Sequence, residues 1–307
     1  MNQTHTSPSH PPLSFTDWMA QVQQRTEIAL TGVLTDPAIA PQRLHEAMRY
    51  AVLGGGKRVR PLLAHAAGEL AGAATQDVDR VACAIELIHA YSLIHDDMPC
   101  MDDDVLRRGK PTVHVEYDEA TALLAGDALQ TLAFQVLSEP PISAGPAVQL
   151  AMVTHLAVAS GSRGMAGGQA IDLASIGKPL SEAALRDMHR RKTGALLQAS
   201  VLMGASTGPL DAQAREQLTV YGAALGLAFQ VVDDVLDVTA DSATLGKTAG
   251  KDAAADKPTF VSLMGLKAAQ AYADEVLDQA HQALSASALP HTDTLHALAD
   301  WVGRRVS

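Results

Sequence analysis

Residues 77–104 read DVDRVACAIELIHAYSLIHDDMPCMDDD, and this stretch sets the architecture of the chain. From Asp77 to His95 there is neither glycine nor proline, and apolar residues fall on every side of a helical projection. A helix that is apolar all round has to be covered by other helices. The segment is therefore expected to be a buried central helix, stopping near Pro99, which restricts the residue before it. Five carboxylates follow within nine residues: Asp96, Asp97, Asp102, Asp103 and Asp104. Like charges this close repel, and each pair costs free energy unless a cation sits among them. The apolar lead-in places these acids at the mouth of a core. Hard cations such as Mg²⁺ take carboxylate oxygens there and keep waters and substrate phosphates as further ligands. A solvated acidic turn is the competing reading. Arg107 and Arg108 come next. Acids that hold metal beside arginines that hold phosphate make a diphosphate site; the alternative is a surface ion-pair cluster of small energetic weight.

Outward from this stretch, the 3.6-residue period dominates. Helices are expected over Phe15–Leu34, Leu44–Val52, Pro61–Leu70, Asp118–Leu137, Pro146–Ser160, Ser181–Ala205, Asp211–Val238, Phe260–Leu284 and Thr292–Arg304. No alternating strand pattern and no fixed-period repeat stands out. The reading is an all-α bundle of about ten or more helices in a single domain over residues 14–307, behind a polar, Pro/His-rich tail at residues 1–13.

Composition narrows the function. The 307 residues are 47% hydrophobic and 19% charged, with 4% aromatic, so a large cavity would be walled by Ala, Leu, Val, Ile and Met. A net charge of −11 argues against nucleic acid as a partner. Cys83 and Cys100 form no CxxC pair and no disulfide framework. The first residues carry no basic and apolar leader pattern, and no membrane span is expected, so the default location is the cytoplasm.

A second acidic motif, Asp233-Asp234-Val235-Leu236-Asp237, lies inside an apolar helix. Asp233 and Asp237 are i and i+4 and share a face. Carboxylates facing a core are expensive unless paired, and bound metal resolves the cost. Two such motifs on long helices can grip a metal cluster from both sides. Cations accompany them. Lys57, Arg58 and Arg60 follow a triple glycine that can open backbone N–H groups to phosphate. Lys192 sits within Arg190-Arg191-Lys192-Thr193-Gly194 in an apolar stretch. Lys247, Lys251 and Lys257 lie in a polar segment suited to a mobile lid. His89 stands two turns before Asp96. Solvated charges or packed side chains are the bland reading of each of these.

Taken in order, several motifs resemble the trans-prenyltransferases, most closely the short-chain bacterial farnesyl diphosphate synthases. They are Gly55–Pro61, His95–Asp104 with Arg107–Thr112, Gly168–Asp172, Lys192–Gly194 and Phe229–Asp237. The resemblance covers nearly the whole chain. It implies an all-α bundle around a deep central cavity, a homodimer, and about three Mg²⁺ ions held with diphosphate. It implies that Asp96 and Asp102 are metal ligands supported by Asp97, with Asp233 opposite and Asp237 nearby. Arg107, Lys192, Lys247 and Lys257 would hold the allylic diphosphate. Lys57, Arg60, His89 and Arg108 would hold isopentenyl diphosphate, and Thr193 and Gln230 would lie beside the developing cation.

The reaction so implied is a head-to-tail condensation. Isopentenyl diphosphate would join dimethylallyl and then geranyl diphosphate to give farnesyl diphosphate. Tyr91 lies five residues before Asp96, about 7.5 Å along the helix axis, where its ring would form a floor, while Ser92 would let the chain pass. A geranyl or geranylgeranyl synthase differs only in cavity depth. A terpene cyclase would not need Lys57, Arg60 and Arg108, and a non-catalytic regulatory subunit would have lost part of one Asp motif.

Overall fold

The computed structural model describes residues 13–139, 141–239 and 257–304. Met1–Pro12, Lys247 and Lys251 lie outside the described residues. The described chain is helical almost throughout. Its helices are α1 (Phe15–Val33), α2 (Gln42–Val52), α3 (Val59–Leu70), α4 (Thr75–Asp96), α5 (Val113–Glu116), α6 (Glu119–Ser138), α7 (Pro146–Ser160), α8 (Met165–Ala174), α9 (Glu182–His189), α10 (Ala195–Ser206), α11 (Ala212–Thr239), α12 (Phe260–Met264), α13 (Leu266–Ala286) and α14 (Asp293–Gly303). A π-helical turn, Arg190–Gly194, joins α9 to α10.

Local chemistry sets several starts. Ser14, Asp118 and Ser181 each accept a backbone N–H two or three residues into α1, α6 and α9, which satisfies an otherwise orphan donor. Pro146 occupies the first turn of α7, where its missing N–H costs nothing.

The central helix is α4, as expected from its all-round apolar character. It packs against α1, α2, α3, α6 and α10. Its residues Ile85, Leu87 and Ile88 are fully buried, and burying such large aliphatic side chains contributes about 1.5–3 kcal/mol each. One core surrounds α4 and α6. A second joins α3, α10, α11, α13 and α14, and a smaller third sits where α9, α11, α12 and α13 meet. The space between the first and second cores holds the site.

Four departures from the sequence reading have local causes. Met165–Ala174 is helical although Gly167 and Gly168 weaken it intrinsically; packing on the π-turn and α9 supplies the missing stability. The expected single helix over Ser181–Ala205 is interrupted by the π-turn. The expected helix over Phe260–Leu284 is broken at Gly265, whose φ is 83°. Leu106–Arg107 and Lys110–Pro111 pair as a two-residue antiparallel hairpin, too short for any alternation to show. Two helices, Glu119–Ser138 and Ala212–Thr239, are long and apolar enough to cross a membrane by length and composition alone. Core packing accounts for most of α11, and one face of α6 stays exposed.

Candidate functional site: a carboxylate-walled apolar cavity

The last turns of α4 carry His89, Tyr91, Ser92, His95 and Asp96 onto one wall of a cavity of about 370 Å³. Met165, Gln169, Ala170 and Leu173 of α8 form another wall, with Lys192 and Thr193 of the π-turn and Arg60 of α3. Leu93, Met101, Met165, Ala166, Ala170 and Leu173 give the interior its aliphatic surface, and Tyr91 is its one Phe, Tyr or Trp side chain among the described residues. Tyr91 is 8% exposed, and its ring meets His95 edge-on at 5.7 Å between centroids. Gly126 of α6 lies so close behind His95 that a Cβ there would stand 2.1 Å from its Nε2. The Tyr91–His95 pair is thus braced from α6.

At the mouth, Asp96 is largely buried and has no hydrogen-bond partner for its carboxylate among the described residues. Burial pushes its pKa up to about 6; Lys192 and Arg107 oppose the shift, while Asp102 and Asp97 reinforce it. A carboxylate lifted this way is poised for a cation, and the donors are hard oxygens suited to Mg²⁺. Among the described residues no three metal-binding side chains converge on one point. An ion held by so few carboxylates would complete its shell with waters and phosphate oxygens, as Mg²⁺ prefers.

Asp97 plays another part. It is 3% exposed and takes a bidentate pair from Arg107, with Nε at 2.8 Å from Oδ2 and Nη2 at 2.6 Å from Oδ1. The geometry makes it an anchor for Arg107. Lys192 donates to Asp172 of α8 at 2.6 Å. Lys257 donates to Asp102 at 3.0 Å and lies 3.8 Å from Asp172. A chain of alternating charges, Asp102–Lys257–Asp172–Lys192, therefore crosses the cavity from the first motif to the π-turn.

Helix α11 presents Asp233 half-buried, with Asp237 4% and Asp234 3% exposed. Thr193 donates to Gln230 Oε1 at 3.0 Å, and Gln230 Nε2 donates to Asp234 at 3.2 Å. The other Asp234 oxygen accepts the Phe260 N–H at 2.8 Å. Asp234 thus pins the start of α12.

The cations named for isopentenyl diphosphate separate in space. Arg60 and His89 face the cavity. The Arg60 Nε is buried without a hydrogen-bond partner among the described residues. Burial holds His89 well below the ordinary imidazole range, and Arg60, Arg108 and Arg107 add to that, so it is neutral. Arg108 is exposed and donates to Gly55 O at 2.7 Å, in the glycine loop. Lys57 is exposed on the same loop. Arg58, which the glycine motif also suggested for phosphate, is structural: 5% exposed, at φ 49°, it reaches Glu86 at 2.6 Å, Glu27 at 2.5 Å and the Val52 carbonyl at 2.6 Å.

Sequence reasoning assigned no role to Asp172, Asp234 or Gln169. Asp172 and Gln169 stand in a Gly-bearing stretch and Asp234 within the acidic motif; the Asp172 contact to Lys192 and the Asp234 contact to the Phe260 N–H join residues 20 and 26 apart in sequence.

An all-α bundle with two Asp-rich motifs and a cavity lined by Asp96, Arg60 and Lys192 defines a class of enzymes that handle diphosphates. The chain belongs to the polyprenyl synthetase family, whose pattern matches residues 41–290. It is similar to the farnesyl diphosphate synthase of Escherichia coli, 50% identical over 85% of this chain and 88% of that one. Among solved structures it is similar to an apo FPP/GFPP synthase from Zymomonas mobilis, with TM-score 0.85 and 43% identity over 94% and 98% of the two chains. It is also similar to a geranyltransferase from Helicobacter pylori complexed with magnesium and isoprenyl diphosphate, with TM-score 0.83 and 34% identity over 95% and 98%.

Proposed function

We propose that this chain joins isopentenyl diphosphate to dimethylallyl and then geranyl diphosphate, releasing farnesyl diphosphate and diphosphate. The observation that carries the reading is the single cavity of about 370 Å³ with Asp96 and Lys192 at its mouth and Tyr91 in its wall. It joins a diphosphate-binding end to an aliphatic pocket of limited depth. The donor set fits about three Mg²⁺ ions. Asp96 and Asp102 would hold them from one wall and Asp233 from the other, with Asp237 in support. Bound magnesium supplies neutralisation of charge building on the leaving diphosphate.

The side chains divide the remaining work. Lys192, Lys257 and Arg107 orient the allylic diphosphate, a part Lys247 shares in this reading. Arg60, His89, Arg108 and Lys57 hold isopentenyl diphosphate so that its double bond faces the allylic carbon. Thr193 and Gln230 place oxygen dipoles beside the carbon that turns cationic. Small aliphatic walls keep water from that carbon. The new double bond forms as a proton leaves to the departing diphosphate, and Tyr91 stops the growing chain.

A cytoplasmic homodimer belongs to the same reading. Leu123 and Leu124 of α6 are 47% and 55% exposed, and Leu150 of α7 is 67% exposed. An apolar stripe of this kind supports burial against a second copy. The deciding experiment gives the purified chain isopentenyl diphosphate with dimethylallyl or geranyl diphosphate, with and without Mg²⁺, and separates the products by length. A magnesium-dependent C15 product is expected. A C20 product would remove Tyr91 as the floor, and no product would sink the reading.

A further inference from the structure

Lys192 also lines a second, smaller polar cavity of about 60 Å³. Asp172, Lys192, Gln230, Asp234, Lys257 and His189 line it. His189 is 6% exposed, and neither of its ring nitrogens has a protein partner among the described residues. A neutral imidazole carries one donor and one acceptor, and each buried polar group left unpaired costs about 1–3 kcal/mol. The volume admits about two waters, and the lining offers each the two to four polar neighbours it needs.

The position of His189 gives this hydration a consequence. The residue immediately precedes the π-turn that carries Lys192 and Thr193. Its ring stacks on Phe260 at 5.5 Å between centroids and 29° between planes. Phe260 is the residue whose N–H donates to Asp234, and Lys257, three residues earlier, reaches Asp102. One imidazole thus touches both the turn bearing one cation and the segment bearing another. Packing alone would favour an apolar ring at such a site; the two nitrogens serve the polar cavity.

We propose that His189 is a positioning residue that acts through buried water. Water in this cavity joins its ring to the carboxylates of Asp172 and Asp234, and so fixes Lys192 relative to the Lys257–Phe260 segment. The inference rests on the reading of Lys192 and Lys257 as the cations of the allylic diphosphate. It adds a residue that touches no substrate to the set that determines allylic binding.

His189→Phe keeps the stack on Phe260 and deletes both nitrogens. Its KM for geranyl diphosphate is expected to rise about tenfold, as it would if one charge-assisted hydrogen bond to the diphosphate were removed. The KM for isopentenyl diphosphate should stay unchanged and the Tm should not fall. His189→Gln, which restores a donor and an acceptor, should recover most of the allylic KM. A wild-type allylic KM in His189→Phe together with a raised Tm would show that the ring only packs, and would overturn the proposal. A high-resolution crystal structure of the wild-type chain provides an independent arm. Ordered water bridging His189 to either carboxylate is expected, and a dry cavity overturns the proposal whatever the kinetics. Should the wild-type chain condense nothing, the functional reading fails by itself; the His189 variants are then compared by the Kd of geranyl diphosphate, and the water density still decides the hydration.

Discussion

Replacing Gly168 with alanine isolates how tightly α8 is set against the catalytic turn. A Cβ built on Gly168 lies 2.2 Å from the Lys192 backbone nitrogen and 2.5 Å from its Cα. Both are main-chain atoms, so no rotamer change relieves the clash. Ordinary van der Waals separation requires α8 and the π-turn to move apart by about 1 Å or more. That movement stretches the 2.6 Å bond between Lys192 and Asp172, which α8 also carries, and displaces Thr193 from Gln230. Overpacking costs about 1–3 kcal/mol, and alanine returns up to about 1 kcal/mol of helix propensity. The net decrease in stability is therefore small, roughly 0–2 kcal/mol. The kinetic effect should be larger, because a displacement near 1 Å at reacting groups costs on the order of 100-fold. The assay pairs thermal unfolding with kcat/KM for condensation. Gly32→Ala serves as the control: that glycine lies in α1 with nothing within 4 Å of a built Cβ, so its activity should be unchanged. A Gly168→Ala enzyme with wild-type kcat/KM would refute the claim that this close approach sets the site.

Other outcomes follow from the same geometry. Tyr91→Ala opens the cavity floor and should lengthen the product beyond C15, read by chromatography of the dephosphorylated alcohols; unchanged length removes Tyr91 as the stop. Asp96 has a folded pKa of about 6, above the ordinary carboxylate value. Its favourable contribution to folding is complete below the unfolded pKa and is lost as pH rises through 6. Without Mg²⁺ at pH 7.5, Asp96→Asn should therefore be more stable than wild type, by about 1–3 kcal/mol, while losing condensation; a lower Tm in calorimetry contradicts this. Arg58→Met strands Glu86, 3% exposed, without its 2.6 Å partner, and should cost about 3–5 kcal/mol, measured by urea unfolding. Leu124→Glu on the exposed face of α6 should shift the chain toward monomer in sedimentation, and unchanged mass would exclude that face as the interface.

The sequence made the helices legible where one physical signal sufficed. The all-round apolar character of Asp77–His95 announced a central helix, and α4 is that helix. Where two signals competed, the result depended on tertiary packing that no local pattern contains. No helix is expected over Met165–Ala174, where two glycines weaken one, yet Gly168 is what lets α8 reach the π-turn. The five-residue π-turn inserts one extra residue per turn and leaves no mark on hydropathy. In the site, the acids were legible as clusters, but their division of labour was not. Asp96 and Asp97 are neighbours in sequence, and a helix end rotates one toward the cavity and the other onto Arg107. Arg58 and Arg60 divide in the same way, since a left-handed residue sends Arg58 inward to two glutamates.

The chain of paired charges through Asp102, Lys257, Asp172 and Lys192 has a thermodynamic reading. Arg107, Lys192 and Lys257 are each already held by a carboxylate of the chain. On the proposed function, a diphosphate that recruits Lys192 or Lys257 would compete with Asp172 or Asp102 for them, and an ion that recruits Asp102 would weaken its hold on Lys257. Each ligand thus does part of the other's work, and by linkage each raises the other's affinity by the same factor. On that function, the site would be an exchange of partners in which metal and substrate act as mutual effectors, each binding more tightly with the other present.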